Sequence, residues 1–211
     1  KKMKICKKCL LTDEVEEIAF DAQGVCNFCR TWEKIEKQRI ADLPNKQKIL
    51  NELKKGFIIG LSGGCDSSYC LHLLAQEGLK PKIAFSLDNG WNNPLADENI
   101  TKIVEKLKIP FYRYTIDLEK FKELQTAFLK SGVPNIEIPT DHILFAVSYE
   151  MAVKYGVKYI VSGGNHTGEG IMPISWSYRS NDLKHIRAIY KQFTDKKLKG
   201  LPVCGLWKFN Y

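Results

Sequence analysis

No apolar run in this sequence approaches the roughly 18 residues that a membrane-spanning helix requires. The opening Lys1-Lys2-Met3-Lys4-Ile5-Cys6 also lacks the apolar core of a secretory signal, so a cytoplasmic protein is expected. Nothing in the charge selects a partner. The formal net charge of +8 is spread along the chain, with small lysine clusters in 1–8, 46–55 and 191–199 that read as solvated faces. A basic surface suits nucleic acid and small phosphorylated molecules equally. With 211 residues, 44% hydrophobic and 27% charged, the chain has the composition of a soluble globular protein. That length holds one α/β domain and a small appendage.

The seven cysteines do not form an obvious disulfide framework. Four of them fall as Cys6-X-X-Cys9, sixteen residues, then Cys26-X-X-Cys29, the spacing of a four-thiolate zinc site in a reducing compartment. Between the pairs, Glu17-Ile18-Ala19-Phe20 and Val25 flank a turn at Asp21-Ala22-Gln23-Gly24, as a hairpin would. A zinc ribbon is therefore expected over 1–30. Its metal is structural, because four thiolates close the tetrahedron and leave no position for water. On spacing alone, a redox pair or an iron–sulfur cluster are the alternatives. Cys65, Cys70 and Cys204 form no such pair and read as small buried hydrophobes.

Residues 31–56 are polar, rich in Lys and Glu, helix-prone and broken at Pro44, which reads as a helical connector. From Phe57 to Tyr211 apolar strands alternate with amphipathic helices. The pattern predicts strands near 57–61, 82–87, 111–115 and 158–162, and helices near 66–77, 97–107, 118–130, 141–155 and 181–193. Such alternation gives an α/β fold, a doubly wound parallel sheet with right-handed crossovers.

The segment Leu61-Ser62-Gly63-Gly64-Cys65-Asp66-Ser67 sits between the first strand and the first helix of that sheet. It lacks the lysine and four-residue spacer of a Walker A loop. Without Cβ atoms, Gly63 and Gly64 let the chain turn sharply and aim several N–H groups at one anion, and the helix adds the positive end of its dipole. Ser62 and Ser67 offer hydroxyl donors to phosphate, and Asp66 is an oxygen ligand of the kind Mg²⁺ prefers. Ser-Gly-Gly-X-Asp-Ser resembles the PP-loop of the ATP pyrophosphatases, which split ATP into AMP and pyrophosphate while adenylating a carbonyl oxygen. That likeness implies an adenine nucleotide alpha hydrolase-like sheet and ATP held by residues 61–67.

In a parallel sheet the ligand lies beyond the carboxyl ends of the strands. Three polar segments are placed there: the 61–67 loop, Asp88-Asn89-Gly90-Trp91-Asn92-Asn93, and Gly163-Gly164-Asn165-His166-Thr167-Gly168-Glu169. Ser86 and Leu87 are expected to meet adenine through unpaired strand-end backbone groups. Asp88 reads equally as a turn residue or as an adenosine contact. Gly163, Gly164 and Asn165 resemble the second nucleotide loop of PP-loop proteins. Glu169 is a candidate second Mg²⁺ ligand beside Asp66, or else an exposed carboxylate. His166 is the candidate general acid or substrate-orienting group. Asp141 reads as a cap or first-turn acid, and His142 at the same helix start as a possible substrate contact. Trp176 and Tyr178 belong to a long aromatic segment that reads as core packing or as a lid over a sugar or base.

Taken together, the two Cys-X-X-Cys pairs, Phe20-Asp21-X-X-Gly24-Val25-Cys26, the 62–69 loop, Asp88-Asn89-Gly90-Trp91-Asn92, and Ser162-Gly163-Gly164-Asn165 through Ser175-Trp176-Ser177-Tyr178 resemble the bacterial N-acetyl sugar amidotransferases over nearly the whole chain. That family is associated with acetamidino sugars of surface polysaccharides and of pseudaminic or legionaminic acid glycans on flagellin. The resemblance implies ATP-dependent activation of a sugar acetamido oxygen. Ammonia would come from a glutaminase subunit and its synthase-like partner, with no membrane or nucleic acid involved. Asn89, Trp91, Asn92, His142, Glu169, Trp176 and Tyr178 are the residues left to choose the sugar. Family members run longer, so residues beyond Tyr211 are expected, as is an omitted loop between Gly56 and Phe57. Two other readings compete: a PP-loop enzyme transferring sulfur to tRNA, and a zinc-ribbon adaptor that binds RNA.

Overall fold

A computed structural model describes residues 3–165, 168 and 172–205. The predicted site residues His166 and Glu169 lie outside the described residues. The chain divides into two compact units: Lys1–Ile49 with Asn165–Tyr178, and Leu50–Gly164 with Arg179–Tyr211.

In the second unit, β1 (Phe57–Gly60), β2 (Ile83–Asp88), β3 (Phe111–Thr115) and β4 (Tyr159–Val161) form a wholly parallel sheet in the order β3-β2-β1-β4. The register pairs Ile58 with Ile83 and Ile160, and Ala84 with Phe111. Side chains alternate across it. Ile58, Ile83 and Phe85 enter one core with α5 (Leu118–Ser131), α6 (Ile138–Lys154) and α7 (Leu183–Thr194). Phe57, Ile59 and Ala84 enter the other with α3 (Cys65–Gln76) and α4 (Pro94–Leu107). Both faces are thus covered, as a parallel sheet requires. Each fully buried Phe or Ile stabilises the unit by about 1.5–3 kcal/mol relative to exposure.

Local chemistry sets the helix ends. Asn93 accepts from Leu95 N–H at 2.9 Å and Pro94 supplies a preset φ, so α4 starts three residues before the predicted 97. Asp182 caps α7 by accepting from Lys184 N–H at 2.9 Å. α6 also starts early, at Ile138, which places Asp141 in its first turn.

In the first unit, α1 (Asn27–Asp42) follows a cysteine-rich segment and is joined by a 3₁₀ turn at Leu43–Asn45 to α2 (Lys46–Leu53). The expected hairpin is reduced to isolated antiparallel bridges, Ile5 with Thr12 and Phe20 with Cys26. Asp21 holds the turn between them by accepting from Gln23 and Val25 N–H at 2.9 and 3.0 Å. Helix α1 begins earlier than the predicted connector, since Cys29 already lies inside it. No described helix is long and apolar enough to cross a membrane.

Candidate active site and metal centre

β1 delivers the chain to the site. After Gly60, Leu61 N–H still bonds Phe85 O at 2.8 Å, and the backbone then leaves the sheet for α3. The turn is closed from within. Ser62 N–H donates to Ser67 Oγ at 3.2 Å, the two serine hydroxyls lie 3.1 Å apart, and Gly64 N–H donates to Ser62 Oγ at 3.3 Å. Gly63 has φ +73°, and a Cβ there would fall 2.1 Å from Ala96 O, so only glycine fits against the start of α4. Across from it, Asn99 Nδ2 donates to Gly63 O at 3.2 Å.

The second predicted loop meets the first directly. A Cβ on Gly163 would lie 2.5 Å from Ser67 N and 2.6 Å from Ser67 Cα, so β4 hands its chain straight onto the first turn of α3. Asp66 stands exposed in that turn. The arrangement brings together a helix N-terminus, a turn of small residues and two hydroxyls, groups of the kind an anion takes, beside a carboxylate of the kind a cation takes. Magnesium fits Asp66 by ligand type, and its proposed partner Glu169 lies outside the described residues.

At the end of β2, Ser86 is buried with no hydrogen-bond partner for its hydroxyl among the described residues, on the sheet face shared with Ala84. A buried hydroxyl left without a partner costs about 1–3 kcal/mol, which a ligand can recover. Leu87 is less open than expected, since its carbonyl already accepts from Asn92 Nδ2 at 3.3 Å. Asp88 Oδ1 accepts from Gly90 N–H at 3.1 Å and Asn89 Oδ1 from Trp91 N–H at 3.1 Å, so both side chains shape the turn. That turn presents Trp91, 60% exposed.

His142 departs most from its sequence reading. It is fully buried, with Nδ1 2.8 Å from Ser180 O and Nε2 accepting from Cys204 N–H at 3.2 Å. Nδ1 therefore carries the proton, and the ring ties two chain segments to α6. Burial, with a smaller contribution from Arg187, holds the imidazole below its ordinary value against opposing effects from the Ser180 carbonyl and Asp182. A substrate contact from His142 would require breaking one of these bonds. Cys204 is buried as expected, whereas Cys65 is exposed at the start of α3.

In the first unit, Asn165 Oδ1 accepts from Gly168 N–H at 3.2 Å, and Trp176 and Tyr178 are 51% and 49% exposed, which excludes core packing for them. Asn99 and Asp97 were not anticipated. Asp97 accepts from Arg113 at 2.8 Å and bonds the Asn92 amide at 3.5 Å, tying α4, β3 and the 89–93 turn together. Only the Asn93-Pro94 helix start signalled that α4 begins close to the loop.

The sulfurs of Cys6, Cys9, Cys26 and Cys29 all lie within 4.8 Å of one another. The pairs Cys6–Cys29 and Cys9–Cys26 are 3.9 and 3.6 Å apart. A tetrahedron with Zn–S bonds of about 2.3 Å has edges of about 3.8 Å, so the sulfurs stand where a zinc ion would hold them. Backbone N–H groups of Lys8 and Cys26 point at Cys6 Sγ at 3.4 and 3.3 Å, as thiolate ligands require. Burial works against charge on Cys6, but backbone N–H groups outweigh it and bring that thiol down to about 6, while burial and the neighbouring sulfurs push Cys29 up.

No known protein-family profile matches the chain. The tRNA-specific 2-thiouridylase MnmA of Pediococcus pentosaceus is 29% identical over 122 residues, covering 52% of this chain and 32% of that protein. The MnmA of Flavobacterium johnsoniae is 32% identical over 128 residues, covering 52% and 31%. The chain thus spans about a third of the length of the curated relatives it matches. Among solved structures, an NH3-dependent NAD synthetase from Campylobacter jejuni aligns over 76% of this chain and 72% of its own, at 18% identity and TM-score 0.45. The NMN synthetase from Francisella tularensis aligns over 57% and 53%, at 26% identity and TM-score 0.42. The loop, the parallel sheet and the curated relatives together define the chain as a PP-loop protein of the ATP pyrophosphatase superfamily.

Proposed function

We propose that the chain is an AMP-forming, ATP-dependent amidotransferase acting on an N-acetylated sugar. The acetamido oxygen attacks the α-phosphorus of Mg·ATP, the bond to the bridging oxygen breaks, and pyrophosphate leaves. Ammonia then adds to the activated carbon, and AMP departs with the former carbonyl oxygen to leave an acetamidine. Residues 62–67 neutralise the charge on the leaving pyrophosphate, with Asp66 the ligand for Mg²⁺, so catalysis rests on positioning and electrostatics without a covalent nucleophile.

The observation that supports the reading is the close approach of Gly163 to Ser67, which brings two glycine-containing loops together at the N-terminus of α3, a position that favours an anion. The sugar rests on the motif pattern along the whole chain and on Trp91, whose exposed indole at the sheet edge offers a flat apolar face to a ring. Ammonia from a glutaminase and its synthase-like partner belongs to the same proposal. The test incubates the protein with Mg·ATP, ammonium and N-acetylated nucleotide or nonulosonic sugars. AMP and a sugar mass lower by about 1 Da, from exchange of carbonyl O for N–H in the amide activation scheme, are expected.

A second reading, sulfur transfer to tRNA, is favoured by the MnmA relatives. AMP formed with tRNA and a sulfur donor, but with no sugar, would select it and overturn the first.

A further inference from the structure

Running on from the phosphate turn, α3 and α4 flank an open groove of about 740 Å³, and the chemistry above uses only its Gly63–Cys65 end. Both helices run down from the carboxyl edge of the sheet, and each presents one stripe to it. From α3 come Cys65, Ser68, Tyr69 and His72; from α4, Asn99, Lys102, Ile103 and Lys106. On each stripe the residues follow at i, i+3, i+4 and i+7, so the cavity is about 10 Å long at a helical rise of about 1.5 Å per residue. Its upper end is the Gly63-Gly64 turn.

The walls differ in chemistry. On one, Tyr69 is 61% exposed and stacks on His72 with ring centroids 6.2 Å apart and planes at 29°, an aromatic surface open to solvent. On the other stand Lys102 and Lys106, and no carboxylate lines the cavity. Lys102 pairs with Glu98 one turn earlier on α4, an exposed contact that contributes little. The charge complement of such a cavity is an anion, and the complement of its aromatic wall is a planar ring. Its size suits a single small molecule, for which pockets of about 300–1,000 Å³ are usual, and its length suits one nucleotide better than a strand.

We infer that the α3–α4 cavity is a second binding site, for a mononucleotide, with the base on Tyr69 and His72 and the phosphate toward Lys102 and Lys106. The site adjoins the turn that holds the triphosphate of ATP and is offset from it along the two helices, and it does not depend on which acceptor is adenylated.

The test records amide shifts of the intact protein saturated with a non-hydrolysable ATP analogue, on adding AMP, UMP, inorganic phosphate or a short single-stranded RNA. AMP or UMP is expected to shift Tyr69, His72 and Lys106 saturably while the shifts of Ser86 and Asn89 caused by the analogue persist. Tyr69→Ala and Lys106→Ala are each expected to weaken that binding about tenfold, the order seen on removing a stacking or charged partner, with analogue affinity kept within about twofold. Inorganic phosphate alone should bind far more weakly. Three results would each overturn the proposal: mononucleotide that displaces the analogue and leaves the helices unshifted, variants that bind mononucleotide as the parent does, or shifts with RNA only.

Discussion

Gly163 leaves no room for a side chain against Ser67: a Cβ would come within 2.5 Å of the Ser67 nitrogen, a backbone group in the first turn of α3. Two loops separated by about a hundred residues are thereby held at van der Waals distance. Gly163→Ala is expected to push the β4 loop off α3, costing about 1–3 kcal/mol of stability, as overpacking does. AMP formation is expected to fall by about 100-fold, as for a displacement of about 1 Å at a reacting centre. A thermal melt and a turnover assay on the same sample check this, and parent-like turnover would show that the contact does not set the site.

Asn99 acts on the other side of the same turn through its 3.2 Å bond to Gly63 O. Asn99→Ala removes one hydrogen bond, worth about 1 kcal/mol. The variant should fold normally and show a several-fold higher KM for ATP with kcat little changed. An unchanged KM would mean the turn keeps its shape without this tether.

Asp66→Ala tests the cation. The side chain is exposed and supports no packing, so the variant should melt as the parent does while Mg-dependent turnover is abolished. Activity retained at saturating Mg²⁺ would remove Asp66 from the metal's ligands.

His142 gives the fold a pH dependence of defined sign. Its folded pKa lies below the unfolded value of about 6.5, so the ring is neutral in both states above that pH. As pH falls below about 6.5 the unfolded chain takes up a proton that the folded one refuses, and stability is lost until the lowered folded pKa is passed. Urea midpoints at pH 7.5, 6.5 and 5.5 should therefore fall more steeply for the parent than for His142→Gln, which cannot titrate. Parallel slopes would show that the buried ring does not carry this dependence.

The cysteine cluster is expected to hold a single zinc ion per chain, lost in Cys26→Ser together with protection of residues 3–29 from proteolysis. Iron, or no metal, in the purified protein would refute the assignment.

Local signals in the sequence were sufficient for much of this architecture. Strand β3 was expected at 111–115 and is found there, and the 62–67 segment was expected to turn sharply between the first strand and the first helix and does. The four cysteines announced their cluster by spacing alone. What stayed hidden depends on distant partners. His142 looked like a helix-start histidine near the site, but its role is set by Ser180 and Cys204, 38 and 62 residues away. Asn99 meets Gly63 across 36 residues, and nothing local marks it. Cys65 read as a buried hydrophobe because cysteine usually is one, yet the first position of a helix that follows an open turn faces outward. Leu87 seemed to offer a free strand-end carbonyl until the fold brought Asn92 back over it.

The central claim is that the 62–67 turn releases pyrophosphate. Phosphorus NMR of the protein turning over Mg·ATP with ammonium and an N-acetylated sugar tests it most directly. The account predicts AMP and pyrophosphate growing in equal amounts, only when an acceptor is present, and neither in Asp66→Ala. Formation of ADP and inorganic phosphate in their place would contradict it.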